Sequence, residues 1–77
     1  MKFIVKEFDY KTTLRTNRIN AISLNAAKVW ATRNKVHHGA FIELKIYDAN
    51  YVCRSSEPIE ICYRRIGQGE KWKNSNS

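Results

Sequence analysis

The residues of this chain that could take part in catalysis are two adjacent histidines, His37 and His38, followed by Gly39. Imidazole is the usual side chain for acid and base catalysis near neutral pH. Adjacent residues of a helix point about 100° apart, however, so the two rings cannot ligate one metal ion without distortion. The helix dipole alone favours a histidine in a last turn. No phosphate-binding loop, nucleophile elbow or carboxylate pair accompanies the histidines, and we expect a protein that is not an enzyme.

Cys53 and Cys62 are the only two cysteines, too few for a disulfide scaffold. Their spacing is not the Cys-x-x-Cys pattern that is typical of zinc sites. Free cysteine most often packs as a small buried hydrophobic residue. We therefore expect both side chains in the core, and the sequence predicts neither a metal nor another cofactor.

The length of 77 residues suits one domain with a thin core, and a hydrophobic content of 43% is too high for a disordered chain. A thin core leaves little volume for a deep substrate pocket, which favours functions carried by the outer surface. No run approaches the ~18 apolar residues that span a bilayer. The early charges exclude a signal peptide. We expect a cytoplasmic protein with no membrane partner.

Alternating apolar residues predict the strands of a small antiparallel sheet. The expected strands are residues 2–10, 40–47, 51–53 and 59–65, with a short edge strand at 70–73. The polar segment 11–18 is interpreted as a turn that leads into a short extended stretch at 19–22. Further turns are expected at 48–50 and 67–69. One domain then covers residues 1–73, and residues 74–77 form a disordered tail.

One helix is expected over residues 24–37. Ser23 is a favourable N-cap, because its hydroxyl can accept a hydrogen bond from a free N–H group of the first turn. An apolar stripe follows at helical spacing, formed by Leu24, Ala27, Trp30 and Ala31. Gly39 suits the left-handed residue that often ends a helix.

These elements predict an α+β fold in which one helix packs on a small antiparallel sheet, in the order β-α-β-β-β. Leu24 and Trp30 of the helix would then contact the apolar side of the central strand, formed by Ile42, Leu44 and Ile46.

Basic residues outnumber acidic residues by 14 to 7, and no acidic residue lies between Asp9 and Glu43. That stretch contains six cations: Lys11, Arg15, Arg18, Lys28, Arg33 and Lys35. Such a one-signed surface is typical of proteins that bind phosphates or an acidic partner. A solvated face that keeps a small protein soluble has the same composition, so the charge alone leaves both interpretations open.

Aromatic residues stand next to cations in two places, Tyr63-Arg64-Arg65 and Lys71-Trp72-Lys73. This mixture is typical of surfaces that track a nucleic-acid backbone and stack on bases, although Tyr63 and Trp72 suit a core or sheet position equally well. No RNP, KH, zinc-finger or helix-turn-helix signature is present, so the sequence does not predict specific base recognition.

Four stretches form a further pattern: Ala-Ile-Ser-Leu-Asn-Ala-Ala-Lys at 21–28, Ala31, His38-Gly39 before an apolar strand, and Gly69-Glu70-Lys71-Trp72. With these the chain resembles a group of very small phage proteins, in particular the basic anti-CRISPR proteins that inhibit type I-F systems. The resemblance covers residues 4–72. The sequence departs from the pattern at Val29, Ala40 and Glu70.

The resemblance implies inhibition by binding. Such a protein, encoded by a phage or mobile element, would bind the backbone subunits of the crRNA-guided surveillance complex in the bacterial cytoplasm and block target DNA. Its basic face would also hold double-stranded DNA non-specifically, and it would be a monomer or weak dimer. The candidate contact residues are Lys28, Arg33, Lys35, Arg15, Arg18, Arg64, Arg65 and Lys71.

Two alternatives stay open at this point. The first is a non-specific DNA- or RNA-binding accessory protein of a phage or mobile element, because the charge distribution fits any phosphate backbone. The second is a small ribonuclease toxin that depends on His37 or His38, which fits the basic composition and lacks a paired general acid.

Overall fold

The computed structural model describes residues 1–50 and 57–75. Over these residues five strands form one antiparallel sheet, with a single α-helix beside it. The strands are β1 (Lys2–Asp9), β2 (Thr12–Asn20), β3 (Ile42–Asp48), β4 (Ile59–Arg65) and β5 (Lys73–Asn74), and the helix α1 is Leu24–Asn34. Their order across the sheet is β2-β1-β3-β4-β5. The expected α+β class is thereby confirmed.

The core lies between α1 and one face of the sheet. Register places Val5 of β1 opposite Ile46 of β3, and Ile46 opposite Cys62 of β4, so these side chains share the helix-facing side. These three side chains belong to one buried cluster, on which Leu24 and Trp30 of the helix also pack. The cluster consists of Phe3, Val5, Ala27, Ala31, Leu44, Ile46 and Cys62. Because the two buried helix residues are alanines, the helix axis can lie close to the sheet.

Residues 12–20 form strand β2, so the interpretation of 11–18 as a turn is wrong. β2 is an edge strand that pairs only with β1, and an edge strand exposes most of its side chains to water. Polar residues are therefore compatible with it, and its β-branched threonines favour extended backbone. The turn is confined to Tyr10 and Lys11, since Asp9 already pairs with Thr12. A second strand thus precedes the helix, which the expected β-α-β-β-β order lacked.

The helix begins where the sequence predicts and ends earlier. Ser23 has extended backbone and its Oγ accepts a hydrogen bond from Ala26 N (3.1 Å), as expected of an N-cap. α1 stops at Asn34 instead of residue 37, because the N–H groups of Val36 and His37 donate to the Glu7 carboxylate (both 3.1 Å). Gly39 does have a positive φ of 150°, but it lies in the connection to β3 and does not cap the helix.

The remaining boundaries shift by a few residues. The strand expected at 59–65 is confirmed, and the one expected at 40–47 is found at Ile42–Asp48. The edge strand expected at 70–73 is the short β5, and beyond it Ser75 N donates to Ile61 O (2.9 Å). Asn74 is therefore part of the sheet and Ser75 is hydrogen-bonded to it, whereas the sequence predicts a disordered tail from residue 74. The strand expected at 51–53 lies outside the described residues.

The N-cap leads to a first prediction. Ser23→Ala leaves the N–H of Ala26 without its side-chain acceptor, and we expect the free energy of unfolding to fall by about 1 kcal/mol, measured by urea denaturation. Ser23→Asn is the matched control, because asparagine caps about as well as serine. Equal stability of Ser23→Ala and the unmodified chain would contradict this role of the serine.

Candidate nucleic-acid interface

A shallow groove of about 460 Å³ runs along the flank of α1, between the helix and the segment around β4. The helix contributes Asn25, Lys28, Val29, Thr32 and Arg33, and the other wall is formed by Arg64 and Trp72. Among the described residues that line it, three are cations and none is acidic. The groove therefore combines positive charge with the apolar surface of an indole ring.

Helical spacing places the cations of α1 on this flank. Lys28 and Thr32 are one turn apart, and the Thr32 hydroxyl donates to Lys28 O (2.9 Å). Arg33 lies in the last turn, where the helix dipole favours a cation. The buried alanines, Ala27 and Ala31, precede Lys28 and Thr32 by one residue each, so the basic flank borders the core-facing stripe directly.

β4 and the chain that follows it supply the opposite wall. Arg64 pairs in register with Leu44, which places it on the helix-facing side of the sheet. Its Nε donates to Glu70 O (2.8 Å), and this bond ties the segment before Trp72 to β4. Trp72 itself packs partly against the core. The indole and Arg64 therefore both line this wall of the groove.

The groove cations are not neutralised by neighbours. In the described part of the chain, Lys28, Arg33 and Arg64 have no carboxylate within ion-pair distance. Lys45 differs, because it lies 3.3 Å from a Glu60 oxygen and 3.6 Å from a Glu43 oxygen. Unpaired cations lose little when a phosphate approaches, since they exchange only water and counterions for it.

The other predicted contact residues are divided among different surfaces. Arg18 lies opposite Ile4, and Arg65 lies opposite Glu43 and binds its carboxylate (3.3 Å), so both belong to the sheet face turned away from the helix. We call this the open face. Lys35 is the half-buried C-cap of α1, and Lys71 is exposed next to Trp72 in sequence. The structure thus unites Lys28, Arg33 and Arg64 and separates them from Arg18 and Arg65.

Arg15 takes part in a buried cluster centred on Glu7. Glu7 is only 3% exposed, and its carboxylate accepts bonds from Arg15 Nη1 (3.2 Å), Val36 N and His37 N. His37 Nδ1 is 3.1 Å from the same Oε1 atom. Arg15 Nη1 also donates to Asn34 O (2.6 Å), the last carbonyl of α1. We call this group the Glu7 cluster; it joins β1, β2 and the end of the helix.

The surroundings of Glu7 determine its charge state. Burial by itself raises the pKa of this carboxyl, but the hydrogen bonds from His37, Val36 and Arg15 outweigh it and lower the pKa below its usual value. The carboxylate therefore stays ionised, and the positive Arg15 side chain compensates its charge.

The two histidines have separate surroundings. His37 is turned toward Glu7, whereas His38 is exposed and has no hydrogen-bond or ion-pair partner in the described part of the chain. Over residues 1–50 and 57–75, no group of three or more metal-ligating side chains is found. The contacts of His37 with Glu7 thus attach the connection after α1 to strand β1.

Cys62 is fully buried in the core, as predicted, and its burial raises the pKa of the thiol. Cys53 lies outside the described residues. Within the described residues, no helix has the length and apolar character needed to cross a membrane.

The Glu7 cluster was missed at the sequence level. The signal was present, because Phe3, Val5 and Glu7 occupy alternate positions of one strand and therefore share a face. A glutamate on an otherwise apolar face requires a buried partner. Its partners lie 8, 29 and 30 residues away in sequence, which is why local patterns did not reveal them.

No family model, curated protein or solved structure matches this chain.

The Glu7 cluster predicts a particular dependence of stability on pH. Because the folded pKa is lower than that of the unfolded chain, the carboxylate contributes fully above about pH 4.3 and loses its contribution as the pH falls through the folded value. We expect Glu7→Gln to reduce the free energy of unfolding at pH 7 by about 2 kcal/mol, because it leaves Arg15 without its counter-charge.

Below about pH 4.3 the difference between the two proteins should shrink. The measurement is urea denaturation as a function of pH, with Glu57→Gln as the control at an exposed glutamate without an ion pair among the described residues. A deficit of the Glu7 variant that stays constant over the whole pH range would rule out the linkage.

Proposed function

We propose that this protein is an anti-CRISPR inhibitor that binds a crRNA-guided surveillance complex through the groove and thereby blocks target DNA. One observation carries the proposal. Lys28 and Trp72, which belong to two of the stretches that resemble the anti-CRISPR proteins, are 44 positions apart in the sequence and line the same groove. The unpaired positive charge of the groove supports a binding role for this surface independently of the resemblance.

The proposed mechanism is occupation of a surface. In such a complex the backbone subunits hold the guide RNA, and the phosphates of this RNA lie along the channel that target DNA enters. Three unpaired cations around an indole give this protein a small patch that complements phosphates or acidic side chains beside such a channel. The net charge of +7 would accelerate the encounter with a negatively charged partner. Inhibition then follows from steric exclusion of DNA, and no chemical step is required.

The site also supports a second candidate, a non-specific nucleic-acid-binding accessory protein. The observation that favours it is that Trp72 lines the same groove as Arg64 and Lys28, because an indole and cations on one surface suit base and backbone contacts without any protein partner. The two candidates differ in salt dependence. If three phosphates are neutralised on duplex DNA, the affinity should fall about fortyfold between 50 and 200 mM salt. A shape-matched protein interface should lose much less.

Charge reversal in the groove tests the proposal. We expect Lys28→Glu combined with Arg33→Glu to weaken association with a crRNA-loaded type I surveillance complex by roughly tenfold or more, because attraction at the interface becomes repulsion. The matched control is Lys2→Glu combined with Arg18→Glu, which changes the net charge equally at exposed residues of the open face. Association is measured by co-purification in moderate salt, followed by target-DNA binding to the loaded complex.

The outcomes separate the candidates. The inhibitor proposal requires that the unmodified protein and the control associate stably and abolish target-DNA binding, and that the groove variant does neither. If no protein associates with the complex, while the unmodified chain binds bare duplex DNA with steep salt sensitivity, the inhibitor proposal fails and the accessory protein is supported.

A further inference from the structure

Two exposed aromatic residues are in contact at the turn between β1 and β2. Tyr10 is 72% exposed and Phe41 is 61% exposed, and their ring centroids are 5.9 Å apart with the planes almost perpendicular. Neither ring belongs to the core cluster or to the groove. Large aromatic residues that pair with each other and remain open to solvent are typical of binding surfaces.

The pair forms part of a cleft of about 360 Å³. Its other walls are Lys11, Ala40, Glu43, Arg65 and Gln68. Glu43 does not give the cleft a free negative charge, because its carboxylate is paired with Lys45 and Arg65. Lys11 has no carboxylate partner among the described residues. The cleft therefore offers aromatic surface, one unpaired cation (Lys11) and one amide, and its size is at the lower end of small-ligand sites.

The backbone holds this arrangement in place. Tyr10 adopts a φ of 59°, which is unfavourable for a bulky residue, and its N–H donates to Phe41 O (3.2 Å). On the other side Gly67 packs directly on Gly39 and Ala40, where a Cβ atom would overlap their backbone. Backbone strain of this kind persists where the surrounding structure fixes it, and it is found at binding sites. The position of Phe41 is thus determined before any ligand arrives.

We propose that this cleft binds one unstacked base of a single-stranded polynucleotide. The base would lie against Phe41 and Tyr10, with its phosphates near Lys11 and its edge near the Gln68 amide. Every base has a π-face, so stacking on aromatic rings needs no sequence signature. A duplex does not offer such a face, because its bases are stacked on each other. The site is separate from the groove and does not depend on the function proposed for it.

The experiment compares two oligonucleotides with the same number of phosphates. One is oligo(dT) of about 15 nucleotides, and the other is an abasic strand of equal length, so the difference in affinity reports base contacts alone. Binding is measured by fluorescence anisotropy at about 100 mM salt. We expect the unmodified protein to prefer oligo(dT) roughly tenfold, the effect of about one stacked base.

Phe41→Ala should remove this preference and leave the affinity for the abasic strand unchanged. Tyr10→Gly should do the same, and it relieves the unfavourable φ, so loss of folding cannot explain its result. Ile22→Ala is the control, since Ile22 is a 92% exposed apolar residue that does not line the cleft. The groove variant, Lys28→Glu combined with Arg33→Glu, should weaken the binding of both strands by the same factor. The result for the groove can therefore be distinguished from the result for the cleft.

Equal binding of the two strands by the unmodified protein would overturn the proposal, and so would an unchanged preference in Phe41→Ala. It would also be overturned if both cleft variants bound oligonucleotides normally but no longer associated with the surveillance complex, because the aromatic pair would then be a protein contact.

Discussion

The Glu7 carboxylate lies between β1 and the exit of α1, where one arginine, two backbone N–H groups and one imidazole surround it. This arrangement ends the helix at Asn34 by drawing the next N–H groups toward the sheet. It also directs the connection after the helix, in which Gly39 and Ala40 come to lie against Gly67. Removing a partner would leave a buried charge uncompensated, which is far more costly than losing a surface ion pair. Both candidate binding surfaces depend on this cluster, the groove through the last turn of α1 and the cleft through Phe41.

The positive charge of the chain is divided into a paired part and an unpaired part. On the open face Lys45 and Arg65 bind Glu43 and Glu60, and Lys6 and Lys45 also lie over the rings of Tyr47 and Phe8. These cations stabilise the sheet and are already compensated. On the helix flank Lys28, Arg33 and Arg64 have no carboxylate within ion-pair distance among the described residues. Composition therefore gives the size of the charge excess, whereas strand register and ion pairing decide which cations can bind a partner.

Local signals in the sequence predicted the features that depend on neighbours in the chain. The Ser23 N-cap, the buried Ala27 and Ala31, and the strand at 59–65 follow from capping chemistry and periodicity within a few residues. The features that were missed depend on distant partners. The sequence predicts a turn where β2 lies, because an edge strand tolerates a polar sequence. It predicts too long a helix, because the N–H of Val36 donates to Glu7, which lies 29 residues upstream.

The candidate site was predicted in part for the same reason. Lys28 and Arg33 belong to the helical flank formed by positions 25, 28, 29, 32 and 33, so their presence on one surface follows from helical spacing. Arg64 and Arg65 are adjacent in sequence but point to opposite faces of β4, and only the sheet register shows which of them faces α1. The Tyr10–Phe41 pair joins positions 31 residues apart, and no pattern in either segment indicates their contact.

Lysine acetylation footprinting shows whether a surveillance complex covers the groove, because it reports which surface a partner protects in the unmodified chain. The protein is acetylated alone and in the presence of a crRNA-loaded type I surveillance complex, and the modified lysines are quantified by mass spectrometry. We expect Lys28 to become protected while Lys2, an exposed residue at the start of β1, keeps its reactivity. Protection of Lys2 with an unchanged Lys28, or no protection at either residue, would contradict it.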